Sequence, residues 1–331
     1  DIRSGSSSSG PFQLTAFGNT LYFSANDGTN GEELWKSDGT ASGTVMVKDI
    51  SSGSSLSNTN GFTALGSTLY FRADDGTNGA ELWKSDGTAS GTVMVKDINS
   101  GSSSGNPNYI TAAGTTLYFR ANDGTNGNEL WKSDGTASGT VMVKDIYSGS
   151  GSGYPYSLTA VGNTLYFGAN DGPNGYELWK TDGTASGTVM VKDINSGGSG
   201  YPQQFTAVGN TLYFRADDGN NGAELWKTDG TASGTVMVKD INSGVYGSGP
   251  SQFIASGSTL YFIAYNDATS QRSIWESDGT DTGTVVWFDL CNQGCGVNNF
   301  MQVGSLFLYQ INDGVEKLFL TDGTTSGTIQ L

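Results

Sequence analysis

Tryptophan recurs along this chain on a nearly constant period. Trp35, Trp83, Trp131, Trp179, Trp226 and Trp275 follow one another at spacings of 48, 48, 48, 47 and 49 residues, and Phe319 takes the same place 44 residues later. Self-similarity at this period marks repeat architectures, in which each unit is one supersecondary element that buries its apolar faces only against its neighbours. The segment ELWKSDGTASGTVMVKDI stands at 33–50, 81–98 and 129–146, and recurs at 177–194 and 224–241 with one Ser changed to Thr. The last two copies diverge to IWESDGTDTGTVVWFDL and LFLTDGTTSGTIQL. The 331 residues therefore read as one domain, 1–331, of seven units at about 11–58, 59–106, 107–154, 155–201, 202–249, 250–297 and 298–331.

Within a unit the β-branched and aromatic runs are short and bounded by Asn, Asp and Gly. This predicts four strands, which in the first unit are FQLTAFG, NTLYFSAN, EELWKS and GTVMVKDI. The intervening turns FGNT, NDGTNG and SDGTASG carry residues that tolerate the positive φ of tight hairpins. No segment has a helical period. Leu21 and Phe23 alternate with Tyr22, and Leu34 with Trp35, so both faces of the middle strands are apolar and need cover. The expected fold is all-β: a seven-bladed β-propeller of four-stranded antiparallel blades, with an open superhelical stack as the competing arrangement. Thr328–Leu331 align with Thr44–Val47 and Asp1–Ile2 with Asp49–Ile50, so each blade is expected to supply its own four strands.

Charge narrows the partners. The chain has 32 acidic residues against 16 basic ones, no histidine and a net charge of −16. The cations recur singly, without the basic stripe that nucleic acid or an anionic membrane requires, and no apolar run is long enough for a membrane span. Without histidine there are no Ser–His or Cys–His nucleophile pairs and the commonest transition-metal ligand is missing. The polar start DIRSGSSSSG is no signal peptide, so a secretion signal is expected to have been removed or never included.

Several residue groups are candidates for function. The turn between the second and third strands reads NDGTNGEE, DDGTNGAE, NDGTNGNE, NDGPNGYE and DDGNNGAE in units one to five. Its oxygens offer a hard-cation set for Ca²⁺: Asp27, Asn30 and Glu33; Asp75, Asn78 and Glu81; Asp123, Asn126 and Glu129; Asp171, Asn174 and Glu177; Asp218, Asn221 and Glu224. The plainer expectation is a hairpin loop with its acids in solvent, because EF-hand spacing is absent. The long Ser/Gly connections between units carry Tyr109, Tyr154, Tyr156 and Tyr201, a mix suited to stacking sugars or a protein surface, or else simply solvated connectors. Cys291 and Cys295 in CNQGC are expected to form a short disulfide, with free thiols as the alternative. Lys48, Lys96, Lys144, Lys192 and Lys239 are expected to guard the fourth strand as a sheet edge, a protection missing at Phe288. Arg272, Glu276 and Asp281 are the best catalytic residues on offer, and their spacing specifies no mechanism.

The repeated ELWKSDGTASGT resembles the ELWxxDGTxxGT repeat family of large secreted and cell-surface proteins, over essentially the whole chain. The resemblance implies an extracellular, multiblade protein with no agreed enzymatic activity; Ile274 and Phe319 depart from its pattern. The SDGTxxGT turn also resembles the Asp box of sialidase-type propellers, which is structural there. That resemblance implies that Asp38, Asp86, Asp134, Asp182, Asp229, Asp278 and Asp322 form turns. Near-copies of one unit favour repeated contact over an asymmetric catalytic cluster. The expectation is thus a non-enzymatic structural or adhesive protein of an extracellular coat, matrix or filament, self-associating or contacting glycans or matrix. The alternatives are a multivalent glycan-binding module and, third, a glycan-active hydrolase.

Overall fold

A computed structural model describes residues 1–266, 271–288, 296–312 and 315–331. Among these residues there is no helix, and the strands form seven four-stranded antiparallel sheets, each made of four strands consecutive in the sequence. The fold is a seven-bladed β-propeller. In the first blade the strands are β1 (Phe12–Phe17), β2 (Thr20–Asn26), β3 (Glu32–Ser37) and β4 (Val45–Lys48). The remaining blades repeat this pattern, down to a last strand of two residues, Ile329–Gln330.

The chain falls into two compact units. One comprises Asp1–Leu158 with Asn170–Gly172 and Asp182–Thr188; the other comprises Thr159–Ala169, Pro173–Thr181 and Val189–Leu331. In the first unit, Tyr22, Leu34, Val47 and Ile50 of blade one pack against Leu69, Phe71, Ala73 and Trp83 of blade two. Tyr70, Leu82, Val95 and Ile98 then meet Leu117, Phe119, Ala121 and Trp131 of blade three in the same way. In the second unit the pattern recurs as Tyr166, Leu178, Val191 and Ile194 against Leu212, Phe214, Ala216 and Trp226. Alternation of strand side chains is what lets one sheet present Tyr and Leu forward and Phe and Trp backward, so neighbouring blades interlock without helices.

Two irregularities recur. Between β3 and β4 the register jumps, so Trp35 opposes Met46 and Leu34 opposes Lys48, leaving Val47 without a partner. Such a bulge re-aims the side chains beyond it. Lys48 therefore does not stand guard at an open edge: its Nζ donates to the Thr92 carbonyl of the next blade at 2.7 Å. Lys96, Lys144, Lys192 and Lys239 do the same toward Thr140, Thr188, Thr235 and Thr284. The second irregularity lies between β1 and β2, where the register jumps between Phe12 and Thr15 and Gln13 takes a φ of 56°.

Candidate functional site

The SDGT turn joins the third and fourth strands at one end of each blade. Asp38 Oδ1 accepts from both the N–H and the O–H of Thr40, whose Oγ1 in turn accepts from Gly43 N–H. Asp86, Asp134, Asp182, Asp229, Asp278 and Asp322 repeat the two contacts to Thr88, Thr136, Thr184, Thr231, Thr280 and Thr324. These hydrogen bonds hold each carboxylate below its ordinary range. A Cβ on Gly43 would fall 1.9 Å from Asp38 Oδ1, which is why the motif carries glycine at this place.

The same turn is gripped by the preceding blade. Lys36 Nζ donates to Gly87 O at 2.9 Å, and Lys84, Lys132, Lys180 and Lys227 reach Gly135, Gly183, Gly230 and Gly279. Between blades six and seven the clamp is rebuilt from aromatic groups. Glu276 stands where the lysine would be, and Trp287, at the position of Val47, lies against Gly323 and packs on Tyr261 and Phe307 at 5.0 and 5.1 Å.

At the opposite end the acids are also engaged. Asp27 accepts from the N–H groups of Thr29 and Asn30 and from the Asn30 amide. Asp75 with Asn78, Asp123 with Asn126 and Asp218 with Asn221 repeat this loop, and Asp171 and Asn174 occupy the same place in blade four. The glutamates point elsewhere. Glu33, Glu81, Glu129, Glu177 and Glu224 are fully buried and accept backbone N–H groups from the connection to the next blade: Ile50 and Ser51 for Glu33, and Ile98, Asn99 and Gly105 for Glu81. Burial pushes all five up to about 7, against the downward pull of those N–H groups. The structure thus does not gather Asp, Asn and Glu of this turn into one ligand set, and no group of three or more potential His, Cys, Asp or Glu metal ligands meets among the described residues.

What remains outward-facing at this end are side chains on an unusual backbone. The second residue before the first strand has a left-handed φ in six blades: Gly10, Asn58, Asn106, Tyr154, Tyr201 and Gly249. So does the bulge residue of that strand: Gln13, Gly61, Tyr109, Ser157, Gln204 and Gln252. Such conformations cost about 1–2 kcal/mol for residues other than glycine. Three of these strained residues are exposed tyrosines, Tyr109 at 50%, Tyr154 at 43% and Tyr201 at 52%. Tyr201 stacks on Tyr176 at 5.5 Å, while Tyr156 is only partly exposed on the first strand of blade four. The Arg120 guanidinium lies 4.9 Å from the Tyr109 ring and 5.7 Å from that of Tyr154. Beside Tyr201, a pocket of about 290 Å³ is lined by Gln203, Arg215 and Asp217; a larger one, about 520 Å³, is lined by Tyr246, Tyr265 and Arg272. Sequence reasoning singled out these tyrosines but missed Arg120, because the contact joins residues 11 and 34 positions apart.

The proposed catalytic residues do not converge. Arg272 is the second residue of the third strand of blade six and donates to Ser251, whereas Asp281 lies past that strand's far end in the SDGT turn, 3.6 Å from Lys239. Glu276 pairs with Tyr261 across the sheet. Cys291 and Cys295 lie outside the described residues.

No protein-family model matches the chain, and no curated protein matches it. Solved structures do. The chain is similar to a structure reported in a study of two prolyl endopeptidases, at 12% identity and a TM-score of 0.55, over 98% of this chain and 50% of that one. Puromycin hydrolase matches at 14% identity and a TM-score of 0.51, over 99% of this chain and 54% of that one. The β-propeller domain of the Trilobed protease from Pyrococcus furiosus matches at 11% identity and a TM-score of 0.44, over 97% and 96%. The chain spans about half the length of the first two proteins, and at these identities the likeness is one of fold.

Proposed function

We propose that the chain is a non-enzymatic, extracellular structural or adhesive propeller of a coat, matrix or filament, working through repeated surface contacts. The observation that carries this reading is how the repeated ionisable groups are used. The SDGT aspartates tie turns, the buried glutamates tie connections and both lysines of the repeat tie neighbouring blades. The repeating part of each blade is framework, and variation is left to outward-facing residues at the connection end. The resemblance of ELWKSDGTASGT to repeats of secreted and cell-surface proteins supports the location. Peptide and puromycin hydrolysis belong to the fold neighbours, and at this identity nothing of their activity is carried over.

Sedimentation and negative-stain microscopy over a concentration series, with and without Ca²⁺, test the proposal. Filaments, sheets or discrete oligomers are expected; a strict monomer that also fails to coat surfaces or matrix polymers overturns it. A second reading, glycan binding, is favoured specifically by the tyrosines held around Arg120. A glycan array tests it.

A further inference from the structure

We propose that Tyr109, Arg120 and Tyr154 form a binding site for a sugar residue that carries a single carboxylate, an inference that rests on the glycan-binding reading. Arg120 is the point of departure. In a chain of net charge −16, it has the two tyrosine rings for partners among the described residues, and its buried Nε has no hydrogen-bond partner. Arg120 as a whole is only partly buried, so its terminal nitrogens are the donors open to a ligand. A guanidinium fixed between aromatic faces keeps its planar fork in one orientation, and that fork matches a carboxylate with two parallel hydrogen bonds.

The tyrosines set the rest of the ligand. Their half-exposed rings offer flat apolar faces and phenolic hydroxyls, the combination that packs on a pyranose ring while bonding its hydroxyls. Both tyrosines occupy left-handed positions at which sibling blades carry Gly61 and Asn106, residues that adopt this backbone more readily. Backbone preference alone therefore gives no reason for tyrosine at either place. The trio is also particular to one blade junction. Arg72 occupies the position of Arg120 in blade two, but there the flanking positions are Gly61 and Asn106; Arg215 in blade five has Gln204 and Gly249. The strongly negative chain repels polyanions, which favours an isolated carboxylate over a polyuronate.

The sibling blades supply the test variants, since each replacement already stands at the equivalent backbone position: Arg120→Gly as at Gly168, Tyr109→Gly as at Gly61 and Tyr154→Asn as at Asn106. Circular dichroism and melting curves check folding. The wild-type chain and the variants are then titrated with glycans ending in a carboxylated sugar, with the same glycans after carboxyl reduction, and with acetate. Binding of the carboxylated glycans is expected to fall by about tenfold or more in Arg120→Gly. It should fall about threefold to tenfold in each tyrosine variant. Carboxyl reduction should match the loss in Arg120→Gly. Equal binding of reduced glycans, unchanged in Arg120→Gly, overturns this site while leaving the glycan reading intact. Acetate binding as tightly as the sugars overturns the sugar assignment, and no glycan binding at all by the wild type removes both. If Arg120→Gly does not fold, the two tyrosine variants decide.

Discussion

The Tyr22 hydroxyl sits where a side chain on Gly87 would have to begin: a Cβ there would lie 2.5 Å from it. Gly87 has a φ of 88°, and the same residue's carbonyl receives Lys36 Nζ. Three constraints from two blades therefore meet on one glycine of the SDGT turn. Tyr70, Tyr118, Tyr166 and Tyr213 stand in the same relation to Gly135, Gly183, Gly230 and Gly279.

Gly135→Ala is accordingly expected to destabilise the first compact unit by about 1–3 kcal/mol, through backbone strain and displacement of Tyr70. Adding Tyr70→Phe should recover part of that loss, whereas Lys84→Met alone should cost about 1–3 kcal/mol by leaving the Gly135 carbonyl without its donor. Urea unfolding of the three variants separates the effects. No recovery in the double variant would mean that the hydroxyl is not what the methyl group meets.

Stability should depend on pH with a defined sign. The five buried glutamates titrate near 7 in the folded chain, above their ordinary value of 4.5. Their contribution is thus fully present below about 4.5 and is lost as pH rises through 7. The SDGT aspartates are shifted the other way from 3.8, so theirs is lost as pH falls below that value. Thermal melts should peak between these windows, with the melting temperature falling from pH 5 to pH 8. Glu81→Gln should flatten that fall while lowering stability throughout, since Ile98 and Gly105 donate to different carboxylate oxygens and the amide N–H₂ that replaces one of them cannot accept. A melting temperature that rises from pH 5 to pH 8 would contradict the assignment.

The tryptophan period announces the blade number, and the alternation around Leu21, Tyr22 and Phe23 announces a sheet covered on both faces, because both signals are local. The roles of Glu33 and Lys48 were not legible in that way. Glu33 lies beside the NDGTNG turn in sequence, which suggested a cation ligand, yet it shares a strand face with Trp35 and meets N–H groups 17 and 18 residues later. Simple alternation would leave Lys48 on the side away from the next blade, and the bulge at Val47 re-aims it. Arg120 escaped notice because nothing in LYFRAN foretells that Tyr109, from the first strand of its own blade, and Tyr154, from the connection to the next blade, will bracket it.

The junction of blades six and seven should be the most sensitive to loss of apolar volume. Trp287 replaces the lysine and valine contacts of the other junctions and joins a cluster with Tyr261, Phe288 and Phe307. Trp287→Val restores the residue of the repeat but leaves its lysines absent. It should cost about 3–5 kcal/mol and speed proteolysis of the seventh blade, as read by limited digestion and mass spectrometry. Unchanged digestion would show that the cluster is not what holds that blade.

Calcium is expected to leave the first five blades unchanged. Asp123, in the pattern shared by Asp27, Asp75 and Asp218, already accepts two backbone N–H groups through Oδ1 and the Asn126 amide through Oδ2, at 2.7–2.9 Å. Capturing a cation would mean giving up these bonds while the nearby glutamate stays buried on Ile146 and Gly153. About four to seven further oxygens would also have to be found, because Ca²⁺ takes about 6–8 and one carboxylate supplies one or two. Melting temperatures measured in millimolar Ca²⁺ and in chelator should therefore coincide, and Asp123→Ala should cost about 1 kcal/mol in both. A saturable rise in melting temperature with Ca²⁺, abolished by Asp123→Ala, would establish that the loop rearranges into the hard-cation site its sequence suggests.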